Sequence, residues 1–268
     1  LASSAASDVY KRQYLYDDVV IVRKDLPGIE VETNLHFLPT DENNIAYKAA
    51  AMLMEEFKLP GGVRIVLNKH IPVAAGMAGG SSNAAAVLFG MNKMFHLGLS
   101  QRSLMERGVR LGADVPYCIM RGTVLAEGIG EELTTLPALP ACTVLIAKPP
   151  ISVSTKVVYE ALDAKEIVDH PDIDGIIRGL ETGSLSEIAA HMGNVLEDVT
   201  IGMYPVIEKI KDEMKKAGAL NAMMSGSGPT VFGIFESRAA ARRAQEQIRR
   251  KALAKQVYVT NVHGARRT

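Results

Sequence analysis

The stretch Ile71-Pro72-Val73-Ala74-Ala75-Gly76-Met77-Ala78-Gly79-Gly80-Ser81-Ser82-Asn83-Ala84-Ala85-Ala86-Val87-Leu88 changes character in its middle. Gly76, Gly79 and Gly80 open backbone angles and close approaches that other residues cannot take. Ser81 and Ser82 are capping types. The alanines that follow are strong helix formers, and Val87, Leu88 and Met91 extend the run. A flexible-geometry loop therefore feeds directly into a helix N-terminus. Free N–H groups and the positive end of the macrodipole make such a terminus an anion site, with phosphate its usual occupant. Taken alone, the stretch serves equally well as a small-residue loop for close helix–strand packing.

Two familiar phosphate loops do not fit it. No Lys stands where a Gly-x-x-x-x-Gly-Lys-Ser/Thr loop needs one. Gly226-Ser227-Gly228 lacks the third glycine of a dinucleotide fingerprint.

Working outward, Leu15 to Val22 is β-branched and apolar, and Ile29 to Phe37 alternates; both read as strands. A helix opens near Asp41 to Asn44, with Ala46, Ala49, Ala50, Leu53, Met54 and Phe57 on one stripe. Val63 to Leu67 is a strand. Ser100 caps a helix running to Val109, and Leu111 to Pro116 is a loop. Strands follow at Thr123 to Ala126 and Thr143 to Ala147. The Lys148-Pro149-Pro150 break is the expected domain boundary, dividing 14–149 from 150–268. Beyond it come helices at Ser154 to Leu162, Asp172 to Glu181, Leu185 to Met192 and Tyr204 to Ala217. Strand Thr230 to Phe235, helix Ser237 to Lys251 and strand Gln256 to Val262 complete the chain, an α+β pattern with helices on one sheet face.

Composition narrows the functions. The chain has 268 residues, enough for two ordinary domains, and is 47% hydrophobic, enough for a core. Thirty Lys and Arg balance thirty Asp and Glu, which argues against a dedicated nucleic-acid binder. The arginines of the helix Ser237 to Lys251 read as a solvated face. Aromatics are 5% with no Trp, so stacking platforms are disfavoured. Cys118 and Cys142 form no Cys-x-x-Cys, and the six histidines have no ligand spacing, so no metal site is expected. No apolar run reaches the ~18–20 residues of a membrane span, and the expected location is cytoplasmic. No Gly-x-Ser-x-Gly elbow is present. Residues 1–13 read as a foreign or disordered lead-in without a hydrophobic leader core.

The segment Pro72 to Ala85 resembles the second motif of the GHMP kinases (galacto-, homoserine, mevalonate and phosphomevalonate kinases). The likeness continues in Asn43-Asn44-Ile45 with Lys48-Ala49-Ala50. It is also carried by Leu111-Gly112-Ala113-Asp114-Val115-Pro116, followed by Gly122-Thr123 and Gly128-Ile129-Gly130-Glu131. Val153-Ser154-Thr155 with Val158-Tyr159, and Ser225 to Gly233, complete it. Within the superfamily it is nearest to the branch acting on a cytidine diphosphate-linked sugar alcohol of the non-mevalonate isoprenoid route. The resemblance implies a two-domain fold, with an N-terminal domain like the second domain of ribosomal protein S5 and a ferredoxin-like C-terminal domain. It implies ATP as co-substrate with Mg2+, a small-molecule acceptor, no nucleic acid or membrane partner, and a monomer or homodimer. Asp114 matches the catalytic base; on residue type alone it reads as a turn Asp. Pro72, Val73, Ala74, Ala75, Gly76, Met77, Ala78, Gly79, Gly80, Ser81 and Ser82 would line the triphosphate, and Asn44 would lie near adenine. Thr155 and Tyr159 would approach the cytidine, and Gly226, Ser227 and Gly228 would close the site. For Tyr159 a half-buried helix aromatic, and for the glycines a tight turn, are equal readings. Homoserine or mevalonate kinase activity, or non-catalytic nucleotide binding, are the alternatives. The family's opening Lys-Ile-Asn-Leu strand and Asp-Gly-Tyr-His segment do not occur, and Lys11 lacks such neighbours. The expectation is a chain shortened at its N-terminus, with impaired turnover.

Overall fold

The computed structural model describes residues 15–128, 130, 132–163 and 170–262. The expected lead-in with Lys11, and also Ile129, Glu131 and His263, lie outside the described residues. The chain forms two compact units, one comprising Tyr16–Val73 and Ala78–Leu136, the other including Ala74–Met77 and everything from Pro137 onward.

In the first unit, β1 (Asp18–Lys24) runs antiparallel to β3 (Gly62–Asn68), and β2 (Gly28–Thr33) runs parallel to β3, giving the order β1-β3-β2. A parallel pair needs a crossover, and α1 (Ile45–Glu56) supplies it. The Asn44 side chain caps α1 by accepting from the Ala46 amide at 2.9 Å. The expected stripe is the buried face: Ala46, Ala49, Ala50 and Leu53 are fully buried, with Met54 and Phe57 packed at its margin. Small side chains let α1 lie close to α2 (Gly79–Met94), which buries Ala84, Val87, Leu88 and Met91 in the same core. At Gly90 a Cβ would meet the tip of Ile21, Cδ1, at 2.6 Å, so the Ile21 side chain of β1 packs directly on the backbone of α2. Helix α3 (Gln101–Val109) begins at Ser100, whose hydroxyl accepts from Ser103 N, as expected. The expected 111–116 loop is shorter, since Val115 and Pro116 already belong to α4 (Val115–Met120). Proline fits a first turn because its missing N–H has no partner there. Strand β4 (Thr123–Glu127) pairs with β5 (Glu132–Leu136), which the sequence did not suggest.

In the second unit, β6 (Thr143–Lys148) is followed by α5 (Thr155–Asp163), α6 (Ile173–Thr182), α7 (Leu185–His191), α8 (Glu197–Met203) and α9 (Val206–Lys216). Then come β7 (Asn221–Met224), β8 (Val231–Phe235), α10 (Arg238–Arg250) and β9 (Gln256–Asn261). The sheet order is β7-β8-β6-β9, antiparallel throughout. With α9 and α10 as the two helices, this is the β-α-β-β-α-β arrangement of a ferredoxin-like domain. Leu145, Val231 and Phe235 from the sheet share one core with Ile207, Ile210 and Met214 of α9 and Ala241, Ala244 and Ile248 of α10. Arg242, Arg243, Arg249 and Arg250 face solvent.

The units part at Leu136/Pro137, not after Pro149. The proline pair ends β6, but β6 is hydrogen-bonded on both edges within the second sheet and cannot belong elsewhere. Phe235 is fully buried at the centre of that core. Phe235→Ala is expected to lower stability by about 3–5 kcal/mol, read from urea unfolding.

Candidate active site

The glycine-serine loop takes left-handed backbone angles at Ala74, Gly76 and Ala78. Two of these are alanines, for which that region is unfavourable, so the surroundings must hold the loop. Ala78 is the N-cap of α2, and no side chain caps the helix. The first hydrogen bond inside the helix runs from Ser82 N to Ala78 O at 2.8 Å. The amides of Gly79, Gly80 and Ser81 therefore have no partner in their own helix. Ser82 Oγ donates to Gly79 O at 2.9 Å. Pro72 and Ala75 are buried, Val73 and Met77 partly so, and Gly76 and Gly80 are exposed.

Beneath this loop lies a polar cluster that sequence reasoning missed. Asp17 precedes β1 and Lys69 follows β3, so the antiparallel register that pairs Asp18 with Asn68 brings them together. They form an ion pair whose side chains are 2% and 4% exposed. Lys69 Nζ also donates to Asn83 Oδ1 at 2.7 Å and to Gly79 O at 3.3 Å. Asp17 Oδ1 accepts from His70 N at 2.7 Å and Ile71 N at 2.8 Å, while Oδ2 accepts from Asn83 Nδ2 at 3.0 Å. Asn34 Oδ1 accepts from Lys69 N at 2.8 Å, and its Nδ2 donates to Lys69 O at 3.1 Å. Burial pushes the Asp17 carboxyl up, but the hydrogen bonds from Lys69, Ile71 and His70 outweigh it and hold the group below the usual carboxylate range.

Asp114 is exposed at the start of α4, and its carboxylate makes no capping bond. Ile45, next to Asn44, packs between the glycine-serine turn and the Gly112 turn. A Cβ on Gly80 would stand 3.6 Å from Ile45 Cγ2, and one on Gly112 would stand 3.6 Å from Ile45 Cδ1. The two glycine turns thus flank one side chain at the start of α1. Cys118, one turn after Asp114, has its thiol pushed up to about 11, first by burial and then by the Asp114 charge. A cavity of ≈ 370 Å³ opens beside Ser82, lined by Ala85, Ala86, Phe89, Leu104, Cys118 and Arg121 among others. Asp114 does not line it, and its wall is mostly apolar, so it is no candidate for the reacting groups.

The second unit presents a different set. Between β7 and β8, Gly226 and Gly228 are left-handed, and Gly228 N donates to Ser225 O at 3.0 Å. A Cβ at Gly228 would reach Met224 Sδ at 2.7 Å. Asn194, also missed, fastens the turn by donating to Met224 O at 2.9 Å and Gly226 O at 2.8 Å. Glu197 accepts from Met224 N at 2.6 Å and from Lys211 Nζ at 2.7 Å, fixing the end of β7. Gly76 belongs to this unit: Ser225 Oγ donates to its carbonyl at 2.7 Å, and a Cβ there would meet Ser225 O at 2.5 Å. Thr155 Oγ1 and Ser227 Oγ are 2.9 Å apart, so the turn and α5 are joined. Tyr159, one turn on, is 51% exposed, more open than a half-buried helix aromatic. The bond-forming tips of Thr155 and Ser227 thus lie together, with the Tyr159 ring free on the same helix.

The sequence pattern of the GHMP kinase N-terminal domain matches residues 44–122, and that of the GHMP kinase C-terminal domain matches residues 176–255. The chain belongs to the GHMP kinase family. It is therefore a small-molecule kinase. It is 56% identical to a 4-diphosphocytidyl-2-C-methyl-D-erythritol kinase of Lachnospira eligens over 92% of this chain and 85% of the relative. The protein of the same description in Lachnoclostridium phytofermentans is 52% identical over 92% of this chain and 84% of the relative. Among solved structures, a 4-(cytidine 5'-diphospho)-2C-methyl-D-erythritol kinase superposes with a TM-score of 0.78 at 30% identity, covering 93% of this chain and 87% of its own. The mevalonate kinase of L. major gives a TM-score of 0.75 at 16% identity, over 94% of this chain and 87% of its own, and shares the fold alone. The two-domain α+β expectation stands.

The lowered pKa of Asp17 makes stability depend on pH. Its unfolded value is about 3.9, so its stabilisation is fully present above that and is lost as pH falls through the lower folded value. Asp17→Asn is expected to be less stable than the parent at pH 7, with the difference shrinking below pH ~4, measured by thermal melts across pH. A difference that stays constant down to the lowest pH would show that the charge of Asp17 is not what stabilises.

Proposed function

We propose that the chain transfers the γ-phosphoryl group of ATP to the 2-hydroxyl of 4-diphosphocytidyl-2-C-methyl-D-erythritol, as a step in isoprenoid precursor synthesis. The observation that carries the chemistry is the pairing, on either side of Ile45, of an uncapped helix N-terminus with an Asp114 loop whose carboxylate makes no capping bond. The acceptor is suggested by the relatives at 56% and 52% identity.

Pro72 to Ser82 line the triphosphate, with the amides of Gly79, Gly80 and Ser81 donating to its oxygens. Asn44 lies near the adenine. Asp114 accepts the proton of the attacking hydroxyl as the new oxygen–phosphorus bond forms and the bridge to the β-phosphate breaks, releasing ADP. Its exposure and the absence of a capping bond leave the carboxylate oxygens open to an incoming hydroxyl. Magnesium, carried on the triphosphate, would offset negative charge there. No group of three His, Cys, Asp or Glu suited to a metal occurs among the described residues, whereas the Ser81 and Ser82 hydroxyls offer the oxygen ligand that such an ion accepts. Thr155 and Tyr159 contact the cytidine end, Tyr159 by stacking and Thr155 through its hydroxyl, and Gly226, Ser227 and Gly228 present backbone to the diphosphate. The substrate is a small molecule, with neither nucleic acid nor membrane as partner. No described helix is long and apolar enough to cross a membrane.

A panel of acceptors assayed for ADP release tests the reading; preference for homoserine or mevalonate would overturn the acceptor. Asp114→Asn is expected to lower kcat by about 10²–10⁴-fold while leaving KM for ATP and the melting temperature nearly unchanged. Parental turnover in that variant would remove Asp114 from the chemistry.

A further inference from the structure

We propose that Lys69 and Asp17 are positioning residues for the nucleotide: their buried ion pair ties both ends of the glycine loop and aims its amides outward. This rests on reading Pro72 to Ser82 as the phosphate loop.

The ties are specific to the two ends. At the entry, Asp17 Oδ1 holds the amides of His70 and Ile71, the two residues before Pro72. At the exit, Lys69 Nζ holds the Gly79 carbonyl and the Asn83 side chain. One ion pair joins them, so the seven residues from Pro72 to Ala78 span two points set by a single contact. The ammonium has three donors, and Asp17, Asn83 and Gly79 take all three. Lys69 is therefore not available to reach a phosphate and does not stand in for a substrate-facing lysine.

Its effect passes through peptide geometry. The C=O of Gly79 and the N–H of Gly80 belong to one planar trans peptide and point in opposite directions. Holding the carbonyl down on Lys69 turns the Gly80 N–H away from the buried cluster, and Gly80 is exposed. Ser82 Oγ, donating to the same carbonyl, adds to the hold. A Cβ at Gly79 would lie 2.9 Å from Ile71 Cγ2 and 3.3 Å from Lys69 Nζ, so even a methyl group there crowds the tie.

A merely structural ion pair predicts that stability and ATP binding fall together. A positioning pair predicts that they separate. The full chain, with Lys69→Met, is expected to bind ATP with magnesium about tenfold more weakly by calorimetry, with KM for the alcohol changed less than about twofold. The double variant Asp17→Asn, Lys69→Met removes both charges, keeps an acceptor for the His70 and Ile71 amides, and leaves no unpaired buried ion. Its melting temperature should recover towards the parent's, because uncompensated burial is what makes a single removal costly. Its ATP affinity should remain several-fold weakened, because the Gly79 carbonyl is still untied. Recovery of both, or affinity that tracks melting temperature across the series, would overturn the inference. Should these variants fail to fold, Gly79→Ala disturbs the exit with both charges in place. Selective loss of ATP affinity there supports the inference, and unchanged affinity overturns it. Failure of the unsubstituted chain to bind ATP would instead overturn the phosphate-loop reading, and this inference with it.

Discussion

The ion pair of Asp17 and Lys69 is the constraint on which the first unit's working surface depends. Taking two charges out of water is costly, and in many proteins an apolar pair of the same size would be as stable. Here every lone pair and every proton has a partner: four donors for the carboxylate, three acceptors for the ammonium. A fully satisfied buried network fixes one geometry more sharply than apolar packing, because a displacement of any member leaves a charge unpaired. What it fixes is a loop whose own residues resist their conformation. Ala74 and Ala78 stand in a region that L-residues avoid, and nothing inside the loop explains why they stay there.

Five of the other helices start differently from α2. Asn44, Ser100, Asp172, Ser184 and Ser237 each place a side-chain oxygen on the first turn of the helix they precede. Such caps satisfy the donors that a helix cannot satisfy itself. Helix α2 is longer than any of these and begins with alanine, without a cap. On the phosphate-loop reading proposed above, a side-chain cap would occupy the position that an incoming phosphate oxygen needs. Leaving it out forgoes roughly 1 kcal/mol of helix stability, which the buried core of α2 easily offsets.

Much of this was legible from residue order, and the reasons for the failures are physical. The caps at Asn44 and Ser100 act within three residues, so local sequence contains them. The α1 stripe is visible because its period is that of one helix. β7, with the sequence Asn221-Ala222-Met223-Met224, has no β-branched residue, and its extended form comes from pairing with β8. β5 is equally dependent on β4. The proline pair after Lys148 suggested a domain edge, yet prolines mark only the end of a strand, whereas membership of a unit is set by what the strand pairs with. Asp17 and Lys69 are 52 residues apart, and only the register of β1 on β3 brings them together; Asn83, 14 residues past Lys69, comes from α2. One signal was present: each charged residue stands just outside an apolar strand, where a partner across the sheet could reach it.

The division of roles follows from where chemistry tolerates variation. Mevalonate and homoserine kinases share this fold at 16% and 22% identity, with TM-scores of 0.75 and 0.76. A fold shared so widely cannot name an acceptor. A group that holds the triphosphate and a group that orients the attacking hydroxyl serve transfer to any alcohol, so neither need distinguish acceptors. Acceptor choice has to reside in groups that the transfer itself leaves free. On the reading proposed above these are Tyr159, 51% exposed, and Thr155, whose hydroxyl lies 2.9 Å from Ser227 Oγ. Tyr159 can be replaced without disturbing the core, because the buried side of α5 is carried by Val158. Thr155 is less free: its link to Ser227 ties helix to turn, so a change there alters both the contact surface and the loop that presents it. A substitution at Tyr159 therefore alters one surface side chain, whereas one at Thr155 also alters the Gly226–Gly228 turn to which it is joined.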